Sequence, residues 1–441
     1  MNLLRKAKHV LRSARSFAQN QPITVRYGID GILLLGAVSI AANNNYLFAQ
    51  RLGATDMQLG ILQFLPQMLN LFLLIPMGML TDSLSNKRRM LYTALICAGL
   101  FFAVASGATF VPVYTVYFFI VFLALANGSV GIVNLAWQSY FPEVVPDDGE
   151  IRETRNNVLT FRARMTMIVQ LVMPLSIGAI LTAITSDGGK IAAHQIFYIL
   201  AAVMLVSNAF HFRKIKAVKP ASPKRVSFAE LKIAAARLSK NKLFIYFAIT
   251  ILFFHMTWHA DWTLYFIGQR NYLGMNEFFL SLTPVVAMIS QLVTLKRWSR
   301  NNAKEGVERP LAYGMLGLAL CPLGIIFGVI MPYSYIGIPV FLAVHALAHL
   351  SFANITLNLF QCLLKVVDEE YRSFSISVYT MLVTLSNAVM PVVGVTVYTA
   401  LGADRQAIII TFAILFATRI VAVAFWLLYV KHAAKVRAAH A

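Results

Sequence analysis

The chain has 441 residues, of which 59% are hydrophobic and 13% are charged, and its formal net charge is +20. A soluble domain has about 25% charged residues, so this composition excludes an ordinary soluble protein and indicates a membrane protein. The positive charge alone would also suit a nucleic-acid-binding protein, but the placement of the cations argues against that class.

Apolar runs long enough to cross a bilayer recur along the whole chain, separated by short polar breaks. A helical span needs about 20 mainly apolar residues. We predict twelve spans, at residues 28–49, 57–80, 90–110, 113–136, 165–185, 195–212, 243–268, 278–295, 311–331, 336–361, 374–401 and 407–430.

The cations follow the positive-inside rule when the N-terminus is placed in the cytoplasm. All but five of the 38 Lys and Arg residues then fall in the two tails or in the cytoplasmic loops. The exceptions are Arg51, Lys190, Arg270 and Arg405 on the outer side, and Arg419 within span twelve. We therefore expect cytoplasmic termini, a multi-pass protein of a bacterial inner (plasma) membrane, and no nucleic-acid partner.

The spans divide into two groups of six around a basic linker. The predicted domains are a basic amphipathic tail at 1–27, a six-helix bundle at 28–212, a cytoplasmic linker with a short surface helix at 213–242, a second six-helix bundle at 243–430, and a cytoplasmic tail at 431–441. The first tail is also similar in composition to a mitochondrial transit peptide, which stays an alternative.

The two groups of spans carry signs of an internal repeat. The shift in numbering that places Gly53 on Gly274 also places Arg88 on Arg309, each pair in the corresponding loop of its half. Agreement of separate loops on one shift favours a duplicated, all-α architecture of two pseudo-symmetric six-helix bundles. Parallel repeats of this kind place a substrate site between the halves, near mid-membrane.

The loop between spans two and three reads "GMLTDSLSNKRRM" and contains Gly78, Asp82, Lys87, Arg88 and Arg89. It resembles the signature of the major facilitator superfamily, which places a glycine, an aspartate and basic residues at these positions. The resemblance implies that this loop helps latch the outward-open state. Cations that only hold the loop in the cytoplasm are the alternative reading. An aspartate near a helix N-terminus would also interact favourably with the helix dipole.

The second half keeps a shorter version of the same loop. The stretch "GVERP" contains Gly306 and Arg309 at the corresponding positions, which makes it the second candidate gating loop. Together with the twelve spans, the resemblance covers nearly the whole chain. It implies the fold and alternating access, and it leaves the solute open.

Span seven contains an unusual polar stripe, in the stretch "FFHMTWHADWTLYF". His255, Trp258, His259 and Trp262 share one helical face, and Asp261 borders it. Ionisable groups at membrane depth are costly, so each is a candidate for function. The resemblance implies that this span lines the central cavity.

Span ten repeats the histidine spacing with His345 and His349. The histidines suit proton or substrate contact, hydrogen bonding between helices, or a transition metal, and we assign no metal and no cofactor. Cys97, Cys321 and Cys362 also lie within spans, where they suit apolar packing better than disulfides or a metal cage.

Three further polar residues complete the candidate list. Asp30 and Asn43 lie in span one, and Asn134 lies at the end of span four. Asp30 has an alternative reading as the partner of nearby cations at the cytoplasmic surface. For Arg419 we expect a structural ion pair or snorkelling.

These features predict a secondary active transporter that moves a small neutral or cationic solute, with protons as the coupling ion. We expect a monomer in the lipid bilayer and no enzyme activity, since no catalytic or nucleotide-binding motif is present at credible spacing. The alternatives are an exporter of lipophilic compounds and a non-transporting sensor or assembly factor on the same scaffold.

Overall fold

The computed structural model describes residues 23–42, 45–84, 86–145, 151–217, 228–367 and 372–440. The described part of the chain is helical and contains no strand. Its α-helices are α1 Ile23–Ala42, α2 Asn45–Arg51, α3 Asp56–Ser83, α4 Lys87–Ser106, α5 Thr115–Val144, α6 Ile151–Ala183, α7 Asp187–Phe212, α8 Phe228–Leu238, α9 Lys242–His259, α10 Trp262–Ile267, α11 Glu277–Glu305, α12 Glu308–Ile330, α13 Ser334–His349, α14 Ala353–Leu364, α15 Arg372–Ala400 and α16 Arg405–His440. A 3₁₀ turn covers Gly107–Phe110, and a π-helical turn covers Gly268–Tyr272.

The long helices confirm the predicted all-α polytopic membrane fold. Among the described residues, 11 helical segments are long and apolar enough to cross a membrane, and α3, with 28 residues, adds a further long helix. Helices suit this environment because each backbone N–H and C=O is bonded within the segment. Large apolar side chains stay exposed on these helices, as lipid contact requires. Examples are Leu100, Ile196, Val203, Val293, Leu347 and Leu428.

Polar caps mark the starts of several helices. Asn241, Asn276 and Asp404 precede α9, α11 and α16, and the side-chain oxygen of each accepts the backbone N–H three residues later, at 2.7 to 3.0 Å. Such caps satisfy N–H groups that have no partner within the helix. The starts of these three helices are therefore encoded by short polar residues at the ends of apolar runs.

Two predicted spans are interrupted. Span seven, predicted as one helix, is α9 followed by α10, with the break at residues 260 and 261. Span ten is likewise α13 followed by α14, with the break at 350–352. Each break comes directly after the second histidine of an i, i+4 pair, and nothing in the apolar pattern marks it.

The helix starts repeat with the shift that the loops predict. α3 begins at Asp56 and α11 at Glu277, and this pair has the same separation in sequence as Gly53 and Gly274. The starts of α4 and α12, and of α6 and α15, repeat that separation. Gly53 and Gly274 both adopt a positive φ, 90° and 66°. The duplication inferred from loops is therefore present in the helices and in the backbone of a turn.

The chain forms two compact units. The first comprises the described residues of Met1–Asn44, Phe72–Pro174 and Ala192–Arg225, and the second comprises those of Asn45–Leu71, Leu175–Ile191 and Val226–Ala441. In the first unit α4 packs on α5, and in the second α12 packs on both α13 and α16. The sequence-order division into 28–212 and 243–430 stays a prediction.

Candidate functional site

A buried ion pair occupies the break in span seven. Asp261, between α9 and α10, is 1% exposed, and Arg419 of α16 is fully buried. The guanidinium Nη2 of Arg419 lies 2.5 Å from Oδ2 of Asp261. Two opposite charges placed in contact reduce the cost of burying either one alone. The sequence analysis named Asp261 as a candidate and expected a structural ion pair for Arg419, but it did not join the two residues.

Arg419 also closes the end of α9. Its guanidinium donates to the carbonyl oxygens of Thr257 and Trp258, at 3.3 and 3.2 Å, and to that of Leu318 on α12, at 2.8 Å. The last carbonyls of a helix lack N–H partners and carry the negative end of the helix dipole, so a cation satisfies both. This explains why α9 can stop within an apolar run.

The two histidines of span seven bind α15. Nε2 of His255 lies 3.3 Å from the hydroxyl of Tyr379, and Nδ1 of His259 lies 3.1 Å from the hydroxyl of Ser386. Both histidines are buried, and Nδ1 of His255 has no hydrogen-bond partner among the described residues. Sequence reasoning missed Tyr379 and Ser386, because hydroxyl side chains within an apolar span carry no distinctive signal.

The aromatic residues of the stripe pack on these histidines. The ring of Trp258 stacks on His255 with 5.7 Å between centroids, and Trp262 meets His259 edge-on at 4.8 Å. Trp258 also contacts Phe352, at 5.4 Å, in the break of span ten. The predicted stripe is therefore one continuous set of contacts, and it reaches the second interrupted span.

Span ten brings its histidines together beside a cysteine. The rings of His345 and His349 lie 4.1 Å apart, and Sγ of Cys321 on α12 lies 3.9 Å from Nδ1 of His349. The carbonyl oxygen of Leu350, in the break, accepts from Nε1 of Trp298 at 2.7 Å. The expectation that Cys321 serves apolar packing alone missed this contact, because the thiol and His349 lie on different helices and are distant in sequence.

Asp30 is the centre of a separate polar cluster in the first unit. Its fully buried carboxylate accepts from Nε of Arg162 at 2.9 Å, Nε1 of Trp137 at 3.1 Å and Nδ2 of Asn208 at 3.0 Å. The guanidinium of Arg162 also lies over the Trp137 ring, 4.3 Å from its centroid. This geometry matches the alternative reading of Asp30 as a partner of a nearby cation, with the difference that the pair is buried.

The other candidates of the first half are less informative. Asn134 is exposed on α5, and Asn43 lies outside the described residues.

Three of the four cations predicted on the outer side converge on one glutamate. Glu277, at the start of α11, is 2% exposed. It pairs with Arg51, with Lys190 at 3.0 Å and with Arg270 at 3.8 Å. The fourth, Arg405, donates to the carbonyl oxygen of Val329. These cations are part of the packing of the second unit.

The predicted gating loop of the first half joins α3 to α4. Gly78 and Asp82 lie in the last part of α3, so the expectation that the aspartate sits near a helix N-terminus is wrong. The apolar pattern did not mark this, because α3 extends to Ser83, beyond the predicted end of span two at residue 80 and into the polar motif. Lys87 is buried and pairs with Glu143 at 2.8 Å, while Arg88 donates to the carbonyl oxygens of residues 213 and 215. Arg89 is exposed.

The corresponding loop of the second half joins α11 to α12. Gly306 ends α11 and Arg309 is exposed in the first turn of α12. The residue between them that forms ion pairs is Glu308, which binds Arg437 at 2.6 Å and Lys365 at 3.7 Å. The sequence analysis named Gly306 and Arg309 in this loop and did not consider Glu308.

A comparison with protein families decides the identity of the fold. The sequence profile of the Major Facilitator Superfamily matches residues 31–361. The chain belongs to the Major Facilitator Superfamily. Proteins of this superfamily are membrane transporters, so membership indicates a transporter rather than an enzyme. A comparison with the sequences of curated proteins gave no significant match.

Solved structures of the same fold cover nearly the whole chain. The crystal structure of the nucleoside transporter NupG is 10% identical, with a TM-score of 0.69, and the match covers 93% of this chain and all of that one. The bacterial homologue of the lysosomal transporter Spinster, in an inward-facing and unoccupied conformation, is 14% identical, with a TM-score of 0.63 and coverage of 94% and 96%. A bacterial homologue of the iron transporter ferroportin is 13% identical, with a TM-score of 0.66 and coverage of 93% and 99%. At these identities the likeness is one of Major Facilitator Superfamily fold.

Proposed function

We propose that this protein is a secondary active transporter that moves a small neutral or cationic solute by alternating access and couples that movement to protons. The observation that carries the proposal is the cluster of His255, His259, Asp261 and Arg419 at the break of span seven. Superfamily membership supports transport, and the buried ionisable groups support the coupling ion. We further propose a monomer in the bacterial inner membrane with both termini in the cytoplasm.

The coupling follows from the charges in this cluster. Asp261 and Arg419 balance each other, so a proton added to Asp261 or to a neighbouring histidine leaves one excess positive charge in a medium of low dielectric constant. Protonation of Asp261 removes its attraction for Arg419, and protonation of a histidine repels the guanidinium, so either event weakens the contact between Arg419 and Asp261. Protonation is thereby linked to the geometry of the break, where a helix is free to bend.

The solute class follows from where the arginines are committed. A phosphate or carboxylate solute would call for an arginine with free donors. The guanidinium of Arg419 donates to Asp261 and to backbone carbonyls, and Arg162 donates to Asp30. The surroundings of these two arginines therefore favour a neutral or cationic solute over an anion.

A pH-jump assay in proteoliposomes tests the coupling. We expect wild-type protein to accumulate its solute, found by screening a metabolite library, when a proton gradient is imposed. Asp261→Asn should abolish gradient-driven uptake and retain exchange of labelled for unlabelled solute, because exchange needs no net proton movement. His255→Ala should reduce the dependence of uptake on the gradient.

His432→Gln is the matched control, because His432 is an exposed histidine of the same unit. It should leave uptake unchanged. Unaltered coupling in both Asp261→Asn and His255→Ala would contradict the assignment of span seven as the proton site. Uptake of drug panels in place of metabolites would favour the exporter of lipophilic compounds.

A further inference from the structure

We propose that Cys321, His345 and His349 form a binding site for a monovalent thiophilic metal ion, Cu⁺. One ligand atom from each of these residues lies within 4.8 Å of the others. The cysteine comes from α12 and the histidines from one face of α13, so the three donors converge from two packed helices. This site lies beside the proposed proton cluster and uses different residues as ligands.

The donors are buried and incompletely satisfied. Cys321 is 2% exposed and His345 is 8% exposed. Nδ1 of His345 is buried and has no hydrogen-bond partner among the described residues. A buried nitrogen without a hydrogen-bond partner destabilises the folded protein, and ligation would remove that cost.

The ring of His349 is held beside the thiol. Its Nδ1–H donates to the carbonyl oxygen of His345 at 2.8 Å, and Nδ1 lies 3.9 Å from Sγ of Cys321. Histidines that bind metals commonly donate their other ring N–H to a carbonyl or carboxylate, which fixes the ring, so Nε2 is the nitrogen of His349 that is left for the metal ion. The rotamer of His349 is therefore fixed by the backbone of its own helix.

The spacing of the donors requires only a small adjustment. Metal bonds of about 2.0 to 2.3 Å place neighbouring ligand atoms about 3.5 Å apart. The three atoms lie within 4.8 Å of one another and must approach by about 1 Å, which rotation of the Cys321 and His345 side chains supplies while His349 stays in place.

The charge balance selects a monovalent ion. When the ion binds, the thiol releases its proton, and one thiolate with two neutral imidazoles carries a single negative charge. Cu⁺ makes that set neutral, whereas Zn²⁺ leaves a buried positive charge. Two charged groups, Asp261 and Arg419, act on Cys321. Their opposite charges already balance each other. Thiolate with imidazole is also a donor set that suits Cu⁺.

Competition against a chromogenic Cu⁺ chelator under anaerobic conditions tests the site in full-length protein held in lipid nanodiscs. We expect one Cu⁺ bound per chain. Cys321→Ser and His345→Gln should each weaken binding by at least about 100-fold, because each removes a direct ligand. Cys362→Ser removes another buried thiol of the same unit and should leave the affinity unchanged.

Equal affinity in wild type and Cys321→Ser would overturn the proposal, as would an equal loss in Cys362→Ser or tighter binding of Zn²⁺ than of Cu⁺. X-ray absorption spectroscopy of the copper-loaded wild type keeps the test independent of how the variants fold. It should report one sulfur and two nitrogen ligands, and a spectrum without sulfur would refute the site. None of these readouts depends on solute transport.

Discussion

At the residue scale, the buried charges of this protein are distributed in pairs. Asp261 is bound by Arg419, Asp30 by Arg162, and Glu277 by several cations. In an apolar environment an unpaired charge is far more costly than a paired one, which explains why each of these charged side chains contacts a group of opposite charge. The pairs differ in surroundings, because Asp261 lies at a helix break beside histidines, whereas Asp30 is surrounded by committed donors. This difference makes Asp261 the better candidate for a moving proton.

The Asp30 cluster gives a prediction about stability. Asp30→Asn leaves the guanidinium of Arg162 without its counter-charge and should destabilise the protein by about 3 kcal/mol. The double variant Asp30→Asn, Arg162→Gln should recover part of that loss, because no unpaired charge remains. Thermal unfolding in detergent, followed by intrinsic fluorescence, measures both effects when the wild type, the two single variants and the double variant are compared. Purely additive losses would show that the two residues do not act as a pair.

At the element scale, the turn before each repeat's second long helix depends on a glycine. Gly53 and Gly274 adopt φ values of 90° and 66°, in the region that residues with a Cβ atom rarely occupy. Around Gly53 no atom lies within 4 Å of an added Cβ, whereas Ser334 would lie 3.2 Å from one at Gly274. The turn at Gly53 is therefore constrained by the backbone alone, and that at Gly274 by the backbone and by packing.

Alanine substitutions should separate these constraints. Gly53→Ala should cost about 1 kcal/mol through backbone strain, and Gly274→Ala should cost more because the added methyl group also crowds Ser334. Gly188→Ala is the control, since Gly188 has open space around it and no positive φ. Unfolding temperatures of the three variants measure the difference. A loss in Gly188→Ala as large as in Gly53→Ala would argue against the role of φ.

At the scale of the whole molecule, the two halves are related copies in which one ion pair has reversed polarity. Lys87 and Glu308 occupy equivalent positions of the repeat, each at the start of its helix. Lys87 binds Glu143, and Glu308 binds Lys365, which directly follows the position equivalent to Glu143. In each half an ion pair therefore joins the start of one helix to the end of another, α4 to α5 in the first half and α12 to α14 in the second, and the signs of the two charges are exchanged.

This reversal predicts that the pair in the first half tolerates a charge swap. Lys87→Glu should destabilise the protein by about 3 kcal/mol, because it places two carboxylates together in a buried position. Adding Glu143→Lys should restore part of the stability, because it gives the new carboxylate at position 87 a cation in contact again. Folded yield and unfolding temperature of the single and double variants measure this. A double variant no more stable than the single one would contradict the prediction.

The membrane-spanning fold was predictable from the sequence because its cause is local. A bilayer requires long apolar runs with internally bonded backbones, so composition along the chain is sufficient to predict the helices. The placement of the cations predicts their orientation. The repeat was predictable for a similar reason, since turn glycines such as Gly53 and Gly274 keep their positions. Candidates such as His255 and Asp261 were found because ionisable groups are rare in such runs.

The tertiary structure alone decided how these residues are used. Asp261 and Arg419 are 158 residues apart, and nothing local pairs them. The breaks after His259 and His349 arise where side chains from other helices satisfy free carbonyl groups, which periodicity within one segment does not record. Cys321 has no special sequence context, and its thiol meets His349 only because α13 packs against α12. The sequence by itself determined the long apolar helices and their repeat through local apolar patterning, while only the packing of distant helices decided which charges and donors meet.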